Sequence, residues 1–372
     1  MNKGIIIVLI IIVAAGLFGL YALQQGPALF LGSPPSDRIA FISSHDGHTD
    51  LWTMRPDGSD LIRVTKDAAD ERSPAWSPDG REIAAVSNRQ DNVYQIYVSA
   101  WNGQYTRPAT NSTGAKDYPQ WSRDSSEITF TANGKISVVD PRSGNEEQKL
   151  PPEGQGDVSG MMGTSHPMLF GAWSKDHNHL LFIQDADVGK AALEIDTPNG
   201  QVPTDTDFKP QTISIGHGVD AAWSLIGTRI AAAFIDRNGE NGISVVDVSS
   251  MNGADIFLTK GDGNGAADPV WSPDGSRIAF EMWAVKDGIA TKCLGVYTIP
   301  ADGGKPTKVI SGDARQPSWS SDGKQIVYTL PSKDGNRDIW KVNADGTSAV
   351  NLTKGNGDNS YPLWSPARRS KS

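Results

Sequence analysis

Short apolar runs of three to four residues, rich in Ile, Val, Ala and Phe, recur from residue 39 onward, separated by polar turn-forming residues. None shows the i, i+3, i+4 spacing of an amphipathic helix, and each has the length of a buried strand core. One set of runs falls at 39–41, 83–86, 128–130, 180–182, 230–233, 278–280 and 326–328. A second set falls at 51–54, 95–98, 136–139, 193–195, 243–246, 296–299 and 339–342. Each member of the second set leads to a glycine turn, at Gly58, Gly103, Gly144, Gly200, Gly253, Gly303 and Gly346. A Trp-Ser pair precedes each later member of the first set, at Trp76, Trp121, Trp173, Trp223, Trp271 and Trp319, and a seventh stands at Trp364. The tryptophans are 45, 52, 50, 48, 48 and 45 residues apart, a period to be explained before any local motif.

Four short strands per unit, joined by Asp-Gly or Asn-Gly turns, form an antiparallel meander. One such sheet cannot bury both of its faces, whereas several packed radially around an axis can. The pattern therefore predicts an all-β fold: a seven-bladed β-propeller of four-stranded antiparallel blades over residues 38–366, with 367–372 as a tail. The last tryptophan lacks following strands and the first strands lack a tryptophan. The ring is thus expected to close with the innermost strand of one blade, around Trp364, joined to outer strands from residues 39–65. In the string W-S-P-D-G, the tryptophan is expected to pack between blades. The residues after it make the turn, with Pro presetting φ and Gly taking the left-handed position.

The string W-S-P-D-G-x-x-I-A-F, read at Trp271 and nearly matched at Trp76 and Trp319, resembles the TolB-type, WD-like propeller repeat. So does "DLWTMRPDG" from Asp50 to Gly58. The resemblance covers about residues 37–366 and is weakest at Trp173 and Trp223, where the turns read "KDHN" and "LIGT". It implies a propeller and leaves the activity open, because such folds carry many functions. TolB itself has an α/β domain ahead of six blades; here residues 24–37 precede seven units. Prolyl-oligopeptidase-like enzymes add a hydrolase domain; here eight residues follow Trp364.

Residues 4–23 carry no charge, and at 1.5 Å per residue they span roughly 30 Å, the thickness of a bilayer core. They are expected to form one N-terminal transmembrane helix, a signal-anchor, with a linker at 24–37. Lys3 precedes this stretch and no basic residue follows until Arg38, which places residues 1–3 in the cytoplasm and the propeller outside. Cleavage of the same segment would leave a secreted or periplasmic chain. The net charge of −9, without a long basic run, argues against a nucleic-acid partner. Cys293, the only cysteine, excludes an intrachain disulfide and a cysteine-based zinc cluster.

No G-x-S-x-G elbow, P-loop or dinucleotide fingerprint is present; "GTSHP" at Gly163 lacks the second glycine. His45 and His48, in "SSHDGHTD", have ligand-like spacing but are read as decoration of the loop between second and third strands, and His177 and His179 similarly. "GDGNGAAD" at 261–268 lacks the ligand pattern of an EF-hand and is read as an inter-blade connection. No cofactor is expected, although acidic groups from several blades could gather a channel cation such as calcium.

The glycine-turn face of the disc is expected to be uniform. The opposite face carries variable loops, such as 151–171, 183–192 and 281–292, where function collects on a rigid scaffold. Positions three to six residues before each tryptophan reach the channel mouth there: Arg72, Asp117, Tyr118, His217, Asp220, Asp268, Arg315 and Tyr361. His166 lies in the same region. Their mixture of charge and aromatic rings suits a polar ligand, so a non-catalytic binding or scaffold module for an envelope protein, peptide or glycan is the leading expectation. The alternatives are a channel-mouth enzyme, namely a polysaccharide lyase or hydrolase with or without a metal's assistance, and a structural envelope component. Protease added to spheroplasts should shave the propeller from the membrane; full protection would reverse the topology, and a mature N-terminus near Leu23 would show cleavage.

Overall fold

The computed structural model describes residues 37–45, 47–122, 124–133, 135–150, 168–173, 179–186, 189–196, 211–214, 220–224, 229–235, 241–247, 264–286 and 289–367. All lie in the unit Ser36–Ser372. The expected membrane segment at 4–23 falls outside them, as do His166, His177 and His217. No helix among the described residues is long and apolar enough to cross a membrane.

Among the described residues there are seven antiparallel sheets, here called blades. Blade 1 runs Glu71–Trp76, Glu82–Gln90, Val93–Ala100 and Thr106–Pro108, and blade 2 runs Lys116–Trp121, Ile128–Ala132, Lys135–Val139 and Glu146–Leu150. Blade 3 runs Met168–Trp173, His179–Ala186, Gly189–Asp196 and Gln211–Ser214; blade 4 shows Asp220–Trp223, Arg229–Ile235 and Asn241–Asp247. Blade 5 runs Asn264–Trp271, Arg277–Lys286, Ile289–Pro300 and Thr307–Ser311; blade 6 runs Arg315–Trp319, Gln325–Pro331, Arg337–Asn343 and Val350–Asn351. In blade 7, Asp358–Trp364 is the innermost strand, followed outward by Ile39–His45, His48–Met54 and Ile62–Arg63. The first strand of every blade contacts the blade before it, and Asp358–Trp364 touches both blade 6 and Glu71–Trp76 of blade 1, so the sheets form a closed ring.

The second strand of blade 7 is apolar on both faces because it lies between two neighbouring blades. Ile39 and Phe41 pack toward Val327, Ile339 and Leu352 of blade 6. Ala40 and Ile42, one residue out of phase, pack with Val64 and with Ile83 of blade 1. A period-2 strand covered on both sides therefore reads as an unbroken apolar run.

The recurrent string has a distinct job at each letter. Trp76, Trp121, Trp271 and Trp319 donate their indole N–H to the carbonyls of Leu363, Ala75, Ala222 and Val270, at 3.1, 3.1, 2.9 and 3.1 Å. Each acceptor stands one residue before the tryptophan of the preceding blade. Trp364 departs from this pattern: its backbone N–H takes Ser318 Oγ, and its indole nitrogen has no hydrogen bond among the described residues. The serine after each tryptophan organises the turn. Ser77 Oγ donates to Asp79 at 2.7 Å and accepts the Glu82 N–H at 2.9 Å, and Ser122, Ser272 and Ser320 repeat both bonds. Gly80 closes the turn at φ 69°.

The ring closes between the strand around Trp364 and the strands from residues 39–65, with Ile39 opposite Trp364 and Ala40 opposite Leu363. Arg38 N–H donates to Ser365 Oγ at 2.9 Å and Ser365 N–H to Arg38 O at 2.7 Å, extending the ladder by one rung.

Two expectations about loops need correction. Residues 183–192 and 281–292 are not irregular: Ile183–Ala186 pair with 189–192, and Glu281–Lys286 with Ile289–Val296. The ladders run out to the pairs Ala186–Gly189 and Lys286–Ile289, giving long hairpins. Likewise His45 and His48 form the last pair of a ladder rather than part of a longer loop.

Truncation after Ser360 removes the partners of Ile39 and Ala40 and should abolish cooperative melting or cause aggregation; a melt at the parent temperature would contradict closure. Trp271→Ala should cost about 3–5 kcal/mol in urea unfolding, as for other buried aromatics.

Candidate functional site

Five innermost strands share an irregularity that the strand pattern does not reveal. The ladder with the second strand slips between Arg72 and Ala75, Asp117 and Gln120, Ala267 and Val270, Arg315 and Ser318, and opposite Ala40 and Ile42. In each slip the residue three before the tryptophan is left-handed without being glycine: Ser73 (φ 51°), Tyr118 (52°), Asp268 (49°), Gln316 (56°) and Tyr361 (51°). The next residue is always a buried proline: Pro74, Pro119, Pro269, Pro317 or Pro362. Proline cannot donate to the ladder, so the strand bulges where it sits, and a bulge re-aims the neighbouring side chain. A non-glycine residue in this region costs on the order of 1–3 kcal/mol, which the buried strand around it must offset. The backbone thus repeats while the side chain changes from blade to blade.

Around these positions the expected site residues gather. Arg72 pairs with Asp117 at 2.8 Å and stacks 4.0 Å from the Tyr94 ring centroid. Ser73 Oγ donates to Asp117 at 3.1 Å. Tyr118 and Tyr361 are among the few large hydrophobic side chains left open in the described residues, at 42% and 47% exposure. The Tyr361 hydroxyl is pushed up by burial and then by the negative charges of Asp268 and Asp117, with Arg72 opposing. Those side chains, from blades 7, 5, 2 and 1, therefore lie within electrostatic reach of one another. Tyr361 N–H donates to Gln316 Oε1 at 2.9 Å, tying the two bulges of blades 6 and 7 together.

The Asp268 carboxyl is strongly perturbed. Burial, then the charge and hydrogen bond of Glu281, push its carboxyl up to about 7, against the pull of Arg315. Glu281 is itself 3% exposed and accepts the Gln316 N–H at 2.7 Å and the Trp283 indole N–H at 3.0 Å. Arg315 bonds Asp313 at 2.6 Å and lies 4.7 Å from the Trp283 ring centroid.

Of the eight expected residues, Arg72, Asp117, Tyr118, Asp268, Arg315 and Tyr361 stand on the bulged ends of inner strands. Asp220 opens the innermost strand of blade 4, three residues before Trp223; its side chain, like all of His217, lies outside the described residues. Ser73, Gln316, Glu281 and Trp283 were not foreseen. The first two carry a signal, since each precedes the proline two residues before a tryptophan. Among the described residues no three His, Cys, Asp or Glu side chains converge as a metal cage.

The TolB beta propeller domain model matches residues 24–206 and 154–370. Dipeptidyl-peptidase 5 of Porphyromonas gingivalis is 24% identical over 332 residues, which is 85% of this chain and 45% of the peptidase. The crystal structure of TolB from Acinetobacter baumannii matches with a TM-score of 0.55 at 19% identity, over 90% of this chain and 68% of that one. Oligogalacturonate lyase from Vibrio parahaemolyticus matches with a TM-score of 0.57 at 13% identity, over 85% of each chain. At such identities the likeness to solved structures shows the fold alone. The chain spans less than two thirds of the length of the curated relatives it matches.

The raised Asp268 carboxyl has a consequence for stability. Its folded pKa lies above the unfolded value, so the folded state holds the extra proton between about pH 4 and 7. The associated stabilisation is full below the unfolded pKa and is lost as pH rises through about 7. The difference in unfolding free energy between the parent and Asp268→Asn should therefore shift against the parent from pH 4 to pH 8. A difference independent of pH would refute the assignment.

Proposed function

Given that this chain belongs to the TolB beta propeller domain family, we propose that it is a non-catalytic binding module. Its channel mouth takes a protein, peptide or glycan of the cell envelope. The observation that carries this reading is the set of bulged residues, one per blade in five blades, which keep one backbone while presenting Ser, Tyr, Asp, Gln and Tyr. A scaffold that holds strain at one ring of positions and varies only their side chains suits recognition. The Arg72–Asp117 pair and the half-open tyrosines offer directional hydrogen bonds and flat apolar faces, the mixture a polar ligand requires.

On this reading residues 4–23 tether the propeller to the membrane on its extracytoplasmic side. The anchor keeps a modest-affinity site near its envelope partner by raising the effective concentration.

One observation favours a second reading, a channel-mouth enzyme. The Asp268 carboxyl, raised to about 7 beside Glu281, has the pKa of a general acid or base at neutral pH. That reading needs a substrate reaching Asp268, and Asp268→Asn would then abolish turnover rather than merely change affinity.

The ligand should be sought among molecules that co-purify with the detergent-solubilised full chain. Against it, the double variant Arg72→Ala, Arg315→Ala should bind about tenfold more weakly or worse. Its melting temperature should stay near the parent's, since both ion pairs are partly solvated and contribute little. Unchanged affinity, with loss instead on altering the glycine-turn face, would place the site on the other side of the disc.

A further inference from the structure

The acid pair at the mouth is bonded to the bulges of two further blades. Asp268 is the bulged residue of blade 5, and Ala267 is the last residue to face Glu281 before the ladder slips. A bulge re-aims its side chain, and here the Asp268 carboxyl is hydrogen-bonded to Glu281. Both Glu281 oxygens also accept N–H groups, Oε1 that of Gln316 at 2.7 Å and Oε2 the Trp283 indole's at 3.0 Å. Two carboxylates cannot bond each other without a proton, and with Glu281 acting as acceptor on both oxygens the proton falls to Asp268. Gln316 is the bulged residue of blade 6, and its Oε1 accepts the N–H of Tyr361, the bulged residue of blade 7, at 2.9 Å. One proton therefore stands at the head of a hydrogen-bonded chain through the bulges of three blades.

Loss of that proton would leave two like charges side by side, and one carboxylate must move. Glu281 is buried and held by two donors, whereas Asp268 is only half-buried, so Asp268 moves. Its surroundings set the direction. Arg315 is the cation that acts on it among the described residues, and Arg315 is held by Asp313, which Arg337 binds at 2.8 Å. Tyr361 faces it from blade 7, with Asp117 and Arg72 acting on that tyrosine from blades 2 and 1. Cys293, on the third strand of blade 5, feels Glu281 and Asp313, but burial pushes its thiol up to about 11 and it stays neutral. Blade 4 brings Asp220, whose side chain lies outside the described residues. Gln316 and Tyr361 are themselves left-handed, at φ 56° and 51°, a conformation that persists only while surrounding bonds hold it. A shift of the Glu281 carboxylate that holds the Gln316 N–H therefore loosens both.

We propose that the proton between Asp268 and Glu281 is a switch for the channel mouth: while held, it fixes Tyr361 through Gln316, and when lost, it sends the Asp268 carboxylate into the channel and frees the Tyr361 ring. Rising pH thus loosens the rim and adds a negative charge to it. The consequence for recognition rests on the mouth being the binding site; the switch itself is a property of the free chain.

The test is fluorine NMR of the detergent-solubilised full chain, titrated without ligand on both sides of neutrality. One sample carries 4-trifluoromethylphenylalanine in place of Tyr361; the other carries 5-fluorotryptophan, with the Trp283 resonance assigned by Trp283→Phe. Because the Asp268 carboxyl is raised, its proton is held below and lost as pH rises through about 7, so both reporters should shift there with one common midpoint. Asp268→Asn keeps a residue that tolerates the left-handed backbone and gives Glu281 a permanent amide donor. Both reporters should then stay at their low-pH positions throughout. Gln316→Met keeps the side-chain length but removes the acceptor of the Tyr361 N–H: the Trp283 shift should remain and the shift at 361 should vanish. Where a variant melts well below the parent, the two parent midpoints still decide, since the switch requires them to coincide. The proposal fails if neither reporter titrates near neutrality, if only Trp283 responds, or if a transition survives Asp268→Asn. It also fails if Gln316→Met leaves the shift at 361 intact, because the Asp268 charge would then act on the ring through space. No outcome involves a ligand, so the binding role of the mouth stands or falls on its own test.

Discussion

An indole N–H donated to the main chain of the neighbouring blade sets the distance at which two blades pack. A buried indole usually finds a partner for its one donor. Here it finds a backbone carbonyl, which is present whatever side chain that position carries. The contact made by Trp121 to Ala75 is thus repeated by Trp271 to Ala222 and Trp319 to Val270, although the sheets differ in sequence. Trp76 makes the same bond to Leu363 across residues 287 positions apart, so the interface of blades 7 and 1 is built like these, whereas at that of blades 6 and 7 the Trp364 backbone N–H donates to Ser318 Oγ instead. Arginines reinforce the spacing: Arg277 lies 4.7 Å from the Trp319 ring centroid and donates to Gly323 O, and Arg229 lies 5.2 Å from that of Trp271.

A ring closed in this way can hold backbone strain at its centre. The bulged residues before Pro74, Pro119, Pro269, Pro317 and Pro362 each stand three positions ahead of a tryptophan packed between blades, and their side chains differ from blade to blade. On the proposed function that division separates architecture from recognition within five residues of chain. In "RSPAW" the proline, alanine and tryptophan hold the blade, while Arg72 and Ser73 face the Asp117 carboxylate. The Asp268–Glu281 pair adds a protonation equilibrium to the same rim.

Much of the fold was legible in the sequence because its period is covalent: the tryptophans, the apolar runs and the glycine turns recur in register, and blade number and closure follow by counting. The hydroxyl of Ser77 and its counterparts, which accepts the N–H five residues on, was legible as a turn but not as its organising bond. The long hairpins at 183–192 and 281–292 were misread because polar alternation at a strand end resembles a loop. The mouth was legible only to within a few residues. Position before the tryptophan put Arg72, Asp117, Tyr118, Asp268, Arg315 and Tyr361 at the bulged ends of inner strands, but the slip at Ser73 and Gln316 depends on pairing geometry. Glu281 could not be found that way at all, since it comes from a second strand whose alternation gives no sign of which acid meets Asp268.

The central claim is that recognition occurs at the bulged rim and not at the glycine-turn face. Photocrosslinking in intact cells tests it most directly, with p-benzoylphenylalanine replacing Tyr118 or Tyr361 at the mouth, and Asp57 or Asp302 on the opposite face. The account predicts a discrete adduct from the two mouth positions and none from the two turn positions. Adducts from Asp57 or Asp302 alone would contradict it.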